Sequence, residues 1–270
     1  MVSIIIVQYN KGWMTRRAID SFRRHYRGDH EIILVDNAST DAASRELLRA
    51  SESFKVLANE QNLGFSVANN QGAGAASGEV LLLLNNDTIT NMDFVSPILE
   101  QFHNCQDVGI IGPRVNNEDG SLQLSCGTLP SLTREAIDKI VYRFVDTHNL
   151  LARRYVERKF RKLQFVEWVT GAALFIRRGL FARLGGFDEE MFMFFEDKDL
   201  CARALQQSAK ILYFPDVAVT HVRGATSAAQ RSDSIRSAYQ RSQLRYYNKH
   251  RTSLERSVLR VYQSKYSKGS

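Results

Sequence analysis

Cysteine is scarce in this chain: Cys105, Cys126 and Cys201 are the three in 270 residues, odd in number and far apart. That spacing excludes the paired clusters of a structural zinc site and the framework of a disulfide-stapled domain, so a reducing cytoplasm is the expected setting. Proline is rarer for its size, four in all. No Pro/Gly-rich linker, internal repeat or low-complexity tract divides the chain, and one domain with a helical appendage is expected. Long apolar runs are missing too. The opening MVSIIIVQYN has no basic n-region, and Val80 to Leu84 falls far short of the ~20 apolar residues that span a bilayer. Neither an export signal nor a membrane-spanning segment is therefore expected. No GxGxxG follows the first strand-like run, which argues against a dinucleotide oxidoreductase.

What is present is unevenly placed. The net charge is +7, but from Arg223 to Ser270 eleven Lys or Arg face only Asp233 and Glu255, a local +9 that leaves the rest near −2. Over the first 115 residues, β-rich runs at 2–7, 31–35, 54–58, 80–84 and 108–111 alternate with helical patterns at 13–26, after Asp41, at 65–76 and at 92–103. This rhythm predicts an α/β fold: a Rossmann-like, mainly parallel open sheet with helices on both faces and ligands at the carboxyl ends of the strands. A short strand at 122–125, a basic helical segment at 131–162, and strands and helices at 165–177, 179–184, 197–207 and 210–214 follow. The boundaries drawn are 1–115 for a nucleotide-binding half, 116–223 for an acceptor and catalytic half, and 224–270 for a basic helical extension.

Four constellations could carry chemistry. Gln8, Tyr9 and Asn10 end the first strand, and VDNASTD ends the second with Asp36 in place to accept the imide N–H of uracil or thymine. The same letters also form turns and cap helices. LLLLNNDT delivers Asn85, Asn86 and Asp87 at the end of a buried strand, where a hard cation would suit Asp87 or where the chain simply turns. MFMFFEDKDLCARA opens a helix with Glu196 and Asp197 beside an aromatic wall. A carboxylate there gains basicity by desolvation and fits general-base work, although acids at a helix start also serve as caps. Last, His221 and Arg223 follow a strand-like run; a lone histidine is more often an ordinary surface or core residue than a ligand.

Taken in order, SIIIVQYN, ILVDNASTD, NLGFSVANNQGA, LLLLNNDT, TGAALFIRR, GGFDEEMFMFFEDKDLCAR and the late histidine resemble the family 2 glycosyltransferases of GT-A fold, in particular their bacterial rhamnosyltransferase-like branch. The resemblance runs from Val2 to about Arg223. It implies a nucleotide-sugar site lined by Gln8, Asn10, Asp36, Asn62, Gly64 and Asn69, with Asn86 and Asp87 at the diphosphate. It implies a divalent cation, magnesium or manganese, held by Asp87 and His221. Asp197 is then the general base of a single inverting displacement, with Glu196 orienting acceptor or sugar. Asn85 stands where the family's DxD motif has its first aspartate, which removes one carboxylate ligand.

Trp168, Thr170 and Gly171 are expected to form an acceptor floor, since sugars stack on aromatic faces, or else to be ordinary core. The resemblance implies a dTDP- or UDP-sugar donor, dTDP-rhamnose first and UDP-hexoses or UDP-galactofuranose next, and a saccharide or polyprenyl-diphosphate-linked acceptor in cell-surface polysaccharide synthesis. The basic residues of 227–266, interleaved with Leu244, Tyr246, Tyr247, Leu254, Val258, Leu259 and Tyr262, are read as resting on the anionic inner face of the cell membrane or packing in a homo-oligomer. A nucleic-acid role for that tail would leave the acidic constellations without purpose.

Overall fold

The computed structural model describes residues 1–49, 53–146, 150–222 and 233–266. Strands β1 (Val2–Gln8), β2 (His30–Asp36), β3 (Lys55–Ala58) and β4 (Val80–Asn85) alternate with helices α1 (Gly12–His25), α2 (Ala42–Arg49) and α3 (Gly64–Gly74). β1 pairs in parallel with β2 and β4, and β2 with β3. Ile4, Ile5 and Ile6 of β1 and Leu81, Leu82 and Leu83 of β4 are fully buried, as strands covered on both faces must be. Each such side chain contributes roughly 1.5–3 kcal/mol by leaving water.

Alternation along the strands sorts these side chains into two cores. Ile4, Ile6 and Leu82 pack with Ile19 and Phe22 of α1 and with Ile98 and Phe102 of α4 (Val95–Asn104). Ile5, Leu81 and Leu83 pack on the other face with Ala68 of α3 and with Leu200 and Ala204 of α8 (Glu196–Gln206). α3 lies very close to the sheet: a Cβ on Gly72 would stand 2.5 Å from Ile5 Cγ2. Asp41 caps α2, its Oδ1 accepting the Ser44 N–H at 3.0 Å. Trp13, at the start of α1, is exposed.

The second half departs from a purely parallel sheet. β6 (Val108–Asn116) is parallel to β11 (Lys210–His221), but β10 (Ala173–Arg177) enters antiparallel between β4 and β6, giving the order β3-β2-β1-β4-β10-β6-β11-β5 with β5 (Thr88–Ile89) at the edge. The expected strand at 122–125 reduces to one bridge between Leu122 and Asn116. Just beyond it, β7 (Cys126–Gly127) pairs with β9 (Trp168–Val169), and β8 (Gln164–Phe165) joins β11. α5 (Leu132–Asp146) and α6 (Leu150–Lys159) fill the basic segment, and α7 (Arg178–Arg183) follows β10.

The C-terminal region forms α9 (Asp233–His250) and α10 (Ser253–Tyr266). Its Tyr246, Tyr247 and Leu259, read as part of an outward-facing surface, are buried against Met191, Phe195 and Ala202. Arg245 pairs with Asp188 and Glu190, and Lys249 with Asp188 and Asp199, so part of the local positive charge is neutralised internally. Arg223 and residues 227–232 lie outside the described residues. Among the described residues no helix is long and apolar enough to cross a membrane.

Candidate active site

β1 and β2 end in register, so Gln8 and Asp36 stand side by side. Gln8 Nε2 donates to Asp36 Oδ1 at 2.9 Å, Asp36 Oδ2 accepts the Ser39 N–H, and Gln8 Oε1 stays buried without a partner. Asn10 takes a left-handed conformation, φ 59°, and bridges to the second strand end: its N–H donates to Ser39 Oγ and its Oδ1 accepts from the Thr40 N–H. Asn62 Oδ1 accepts from the N–H of Gly64, whose φ of +87° suits a residue without Cβ. Asn69 donates to Phe65 O within its own helix. These six residues form a polar rim next to Val7 and Phe65, which line a cleft of about 610 Å³, while none of the six lines it.

Asn85, Asn86, Asp87 and His221 do line that cleft. Asn86 Nδ2 donates to Thr15 Oγ1 at 3.1 Å. β11 brings His221 opposite Thr88, and the Val222 N–H donates to Asp87 O, so the Asp87 and His221 side chains meet with Nε2 and Oδ1 3.0 Å apart. Asp87 Oδ1 and Asn85 Oδ1 are nevertheless buried without an aligned hydrogen bond. Two adjacent ligands, each about 2.1 Å from a magnesium-sized cation and at right angles, stand about 3 Å apart. The pair thus fits a hard divalent cation as neighbouring ligands, with diphosphate oxygens and water left to complete the shell. Among the described residues no group of three or more His, Cys, Asp or Glu side chains gathers as a metal site.

The start of α8 also lines the cleft. Phe194 and Phe195 both take left-handed backbone conformations, φ 69° and 64°, costing about 1–3 kcal/mol each for such side chains. The kink turns Glu196 and Asp197 into the cleft, where both are mostly buried. Asp197 Oδ2 accepts the Gly171 N–H at 3.1 Å and Oδ1 the Lys198 N–H at 2.8 Å. Glu196 Oε2 is buried without a partner, and burial, with the Asp197 charge beside it, pushes the Glu196 carboxyl up to about 8. The desolvation expected of a carboxylate beside the aromatic wall is therefore marked at Glu196, where it favours the protonated form.

Trp168, Thr170 and Gly171 line the same cleft. The Thr170 N–H is tied to Ser125 O at 2.7 Å. A Cβ on Gly171 would meet Phe65 and Asp197 at ordinary contact distances, 3.6 and 3.8 Å, so neighbouring protein does not demand the glycine. Lys198 and Gln123 are among the lining residues not singled out from sequence. Lys198 places its ammonium 4.4 Å from the Trp168 ring centroid and 3.4 Å from Asp197 Oδ1, and it lay in plain view within the ED motif. Gln123, against His221, follows a turn and belongs to no motif.

Asp199, two residues beyond Asp197, does not line the cleft. It is fully buried and joined to Arg203, Lys249 and His250. Burial would raise its carboxyl, but the His250 hydrogen bond and the Arg203 and Lys249 cations outweigh that and hold it at about 2.

A family model described as glycosyl transferase family 2 matches residues 3–181. Among curated proteins, the chain is 25% identical over 232 residues to N-acetylglucosaminyl-diphospho-decaprenol L-rhamnosyltransferase of Mycobacterium tuberculosis, covering 82% of this chain and 76% of that one. It is 28% identical over 241 residues to the O-antigen biosynthesis protein RfbC of Myxococcus xanthus, covering 87% of this chain but 18% of the relative. Among solved structures it resembles GalNAc-T7 with UDP, GalNAc and Mn2+ (TM-score 0.62, 20% identity, 82% of this chain and 44% of that one). It also resembles a mannosyltransferase of Pyrobaculum calidifontis in complex with GDP-Man and Mn2+ (TM-score 0.61, 18% identity, 92% of this chain and 63% of that one). The fold shared with these structures is GT-A.

Proposed function

Because the chain belongs to glycosyl transferase family 2, we propose that it is an inverting transferase moving one sugar from a nucleotide-diphosphate donor to a glycan or a polyprenyl-diphosphate-linked acceptor, with L-rhamnose from dTDP-rhamnose as the leading donor. The observation that carries this reading is that one cleft is lined both by the Asp87–His221 pair and by Glu196 and Asp197. The name of the mycobacterial relative supports rhamnose and a lipid-linked acceptor.

In this reading the polar rim from Gln8 through Asn69 receives the nucleoside, and Asn86 and Asp87 meet the diphosphate. Asp87 and His221 hold magnesium or manganese, which when bound would neutralise the charge developing on the departing diphosphate. Asp197, its carboxylate oriented by the Gly171 and Lys198 N–H groups, takes the proton from the acceptor hydroxyl as that oxygen attacks the anomeric carbon. Protonated Glu196 donates a hydrogen bond to the sugar or acceptor. Trp168 and Gly171 supply the acceptor floor, from which Lys198 must move to free the indole face.

The test is nucleotide-diphosphate release from a panel of dTDP- and UDP-sugars with Mn2+. Release from one donor is expected, abolished in Asp87→Ala, with transfer reduced about a hundredfold or more in Asp197→Asn. Response to a UDP-hexose alone would replace rhamnose with that sugar. Silence across the panel, together with no thermal stabilisation by any nucleotide, would sink the transferase reading.

A further inference from the structure

His221 can serve a cation only if its Nε2 carries no proton, and the choice between its two neutral tautomers is made by whatever faces Nδ1. The group facing Nδ1 is the buried amide of Gln123, with Oε1 at 3.3 Å and Nε2 at 3.2 Å. The amide could therefore partner either tautomer, and the decision comes from the other side of the ring. There the 3.0 Å approach of His221 Nε2 to Asp87 Oδ1 is not aligned as a hydrogen bond, which leaves that oxygen without a donor. Asn85 Nδ2 stands 3.5 Å from Nε2, at the limit of hydrogen-bond reach, whereas a cation shared with Asp87 needs the bare Nε2 lone pair. A ring that binds a cation through Nε2 carries its proton on Nδ1 and donates it to Gln123 Oε1.

The backbone holds Gln123 for this task. A tight turn, closed by the Asn117 N–H to Ser121 O and the Gly120 N–H to Asn117 O, sends the chain back over β6. The Gln123 N–H then donates to Val115 O at 2.9 Å, and β6 in turn is paired with β11 up to Thr220↔Asn116, one residue before His221. Histidine and glutamine are thus carried on adjoining segments of one sheet.

We infer that Gln123 is a positioning residue for cation binding: by accepting the Nδ1 proton of His221 it fixes the ring orientation and leaves Nε2 bare beside Asp87. The inference rests on the metal-dependent reading above, and the two fail separately. Gln123→Met keeps the length of the side chain and removes the acceptor; Gln123→Glu keeps an acceptor and cannot donate.

Mn2+ binding is measured by electron paramagnetic resonance, with dTDP and with UDP, on the full chain and on Gln123→Met, Gln123→Glu and His221→Ala. The expected result is binding at least about tenfold weaker in Gln123→Met, retained in Gln123→Glu and weakened in His221→Ala. Wild-type affinity in Gln123→Met, or equal loss in Gln123→Glu, overturns the role of Gln123 while leaving the cation site standing. No Mn2+ binding by the wild type overturns both. Should a variant fail to fold by circular dichroism, nitrogen-15 spectra of the wild-type His221 ring with Mg2+ and nucleotide decide: a proton on Nδ1 supports the inference, and a proton on Nε2 refutes it.

Discussion

Burial, with the Asp197 charge beside it, pushes the Glu196 carboxyl up to about 8. Its neighbour Asp197 shares the same wall, so ionisation of Glu196 places a second negative charge beside the proposed base. Glu196→Gln copies the protonated form in shape and hydrogen-bonding capacity, so transfer at pH 7 is expected to fall by less than about tenfold. The same variant is expected to lose any decline in rate seen in the wild type above pH 8, and a persistent decline would show that another group titrates there. Stability carries the same signature. A folded-state pKa raised above the unfolded value of about 4.3 gives a contribution fully present below pH 4 and lost as pH rises through 8. Glu196→Gln should therefore raise the Tm more at pH 8 than at pH 4. The pair itself was legible in sequence as the acidic opening of a helix behind phenylalanines. The two are equally exposed, 7% each, and differ in hydrogen bonding: Asp197 accepts the Gly171 and Lys198 N–H groups while Glu196 Oε2 has no partner, which adjacent letters do not encode.

At the scale of elements, α8 and α9 are joined by a clasp with Asp199 at its centre, touched by Arg203 from its own helix and by Lys249 and His250 from the other. Ser242 Oγ adds a hydrogen bond to Met193 O, and Tyr239 and Tyr246 pack their rings on Phe195. Removing the carboxylate takes the shared acceptor from three crowded basic groups, of which Lys249 keeps Asp188 and Arg203 keeps Leu184 O, so Asp199→Ala is expected to cost roughly 3–5 kcal/mol in urea unfolding. A loss under about 1 kcal/mol would show that the aromatic packing alone holds the helices. With the folded carboxyl held near 2, below its ordinary value, the contribution is present above about pH 4 and lost as pH falls toward 2. Sequence reading took Asp199 for a helix-start acid and α9 for an outer surface, because its partners lie some fifty residues away. The strands β1 and β4 were readable for the opposite reason: burial on both faces writes a continuous apolar run. β10 was readable as a strand but not in its direction, since its antiparallel entry between β4 and β6 is a matter of chain path.

Across the whole molecule, the burial of Tyr246, Tyr247 and Leu259 narrows the surface left for a membrane or a second copy of the chain. On α10 the exposed Leu254, Val258, Val261 and Tyr262 follow helical spacing, with Arg256 and Arg260 on the same helix. We propose this face as the membrane contact, because apolar side chains flanked by arginine suit anionic headgroups. Cosedimentation with phosphatidylglycerol vesicles is expected and should fall sharply in the Val258→Glu, Tyr262→Glu double variant. Unchanged binding in that variant would exclude the face, and concentration-dependent dimerisation without vesicle binding would assign it to self-association.

The left-handed pair Phe194–Phe195 also bears on the order in which this protein is made. Its unfavourable backbone is braced by rings and a hydroxyl from α9, a helix translated some forty residues later. A ribosome that has released every strand of the central sheet has still not supplied the brace for the bend that presents Glu196 and Asp197. The corner that presents Glu196 and Asp197 is therefore completed only after α9 has been translated.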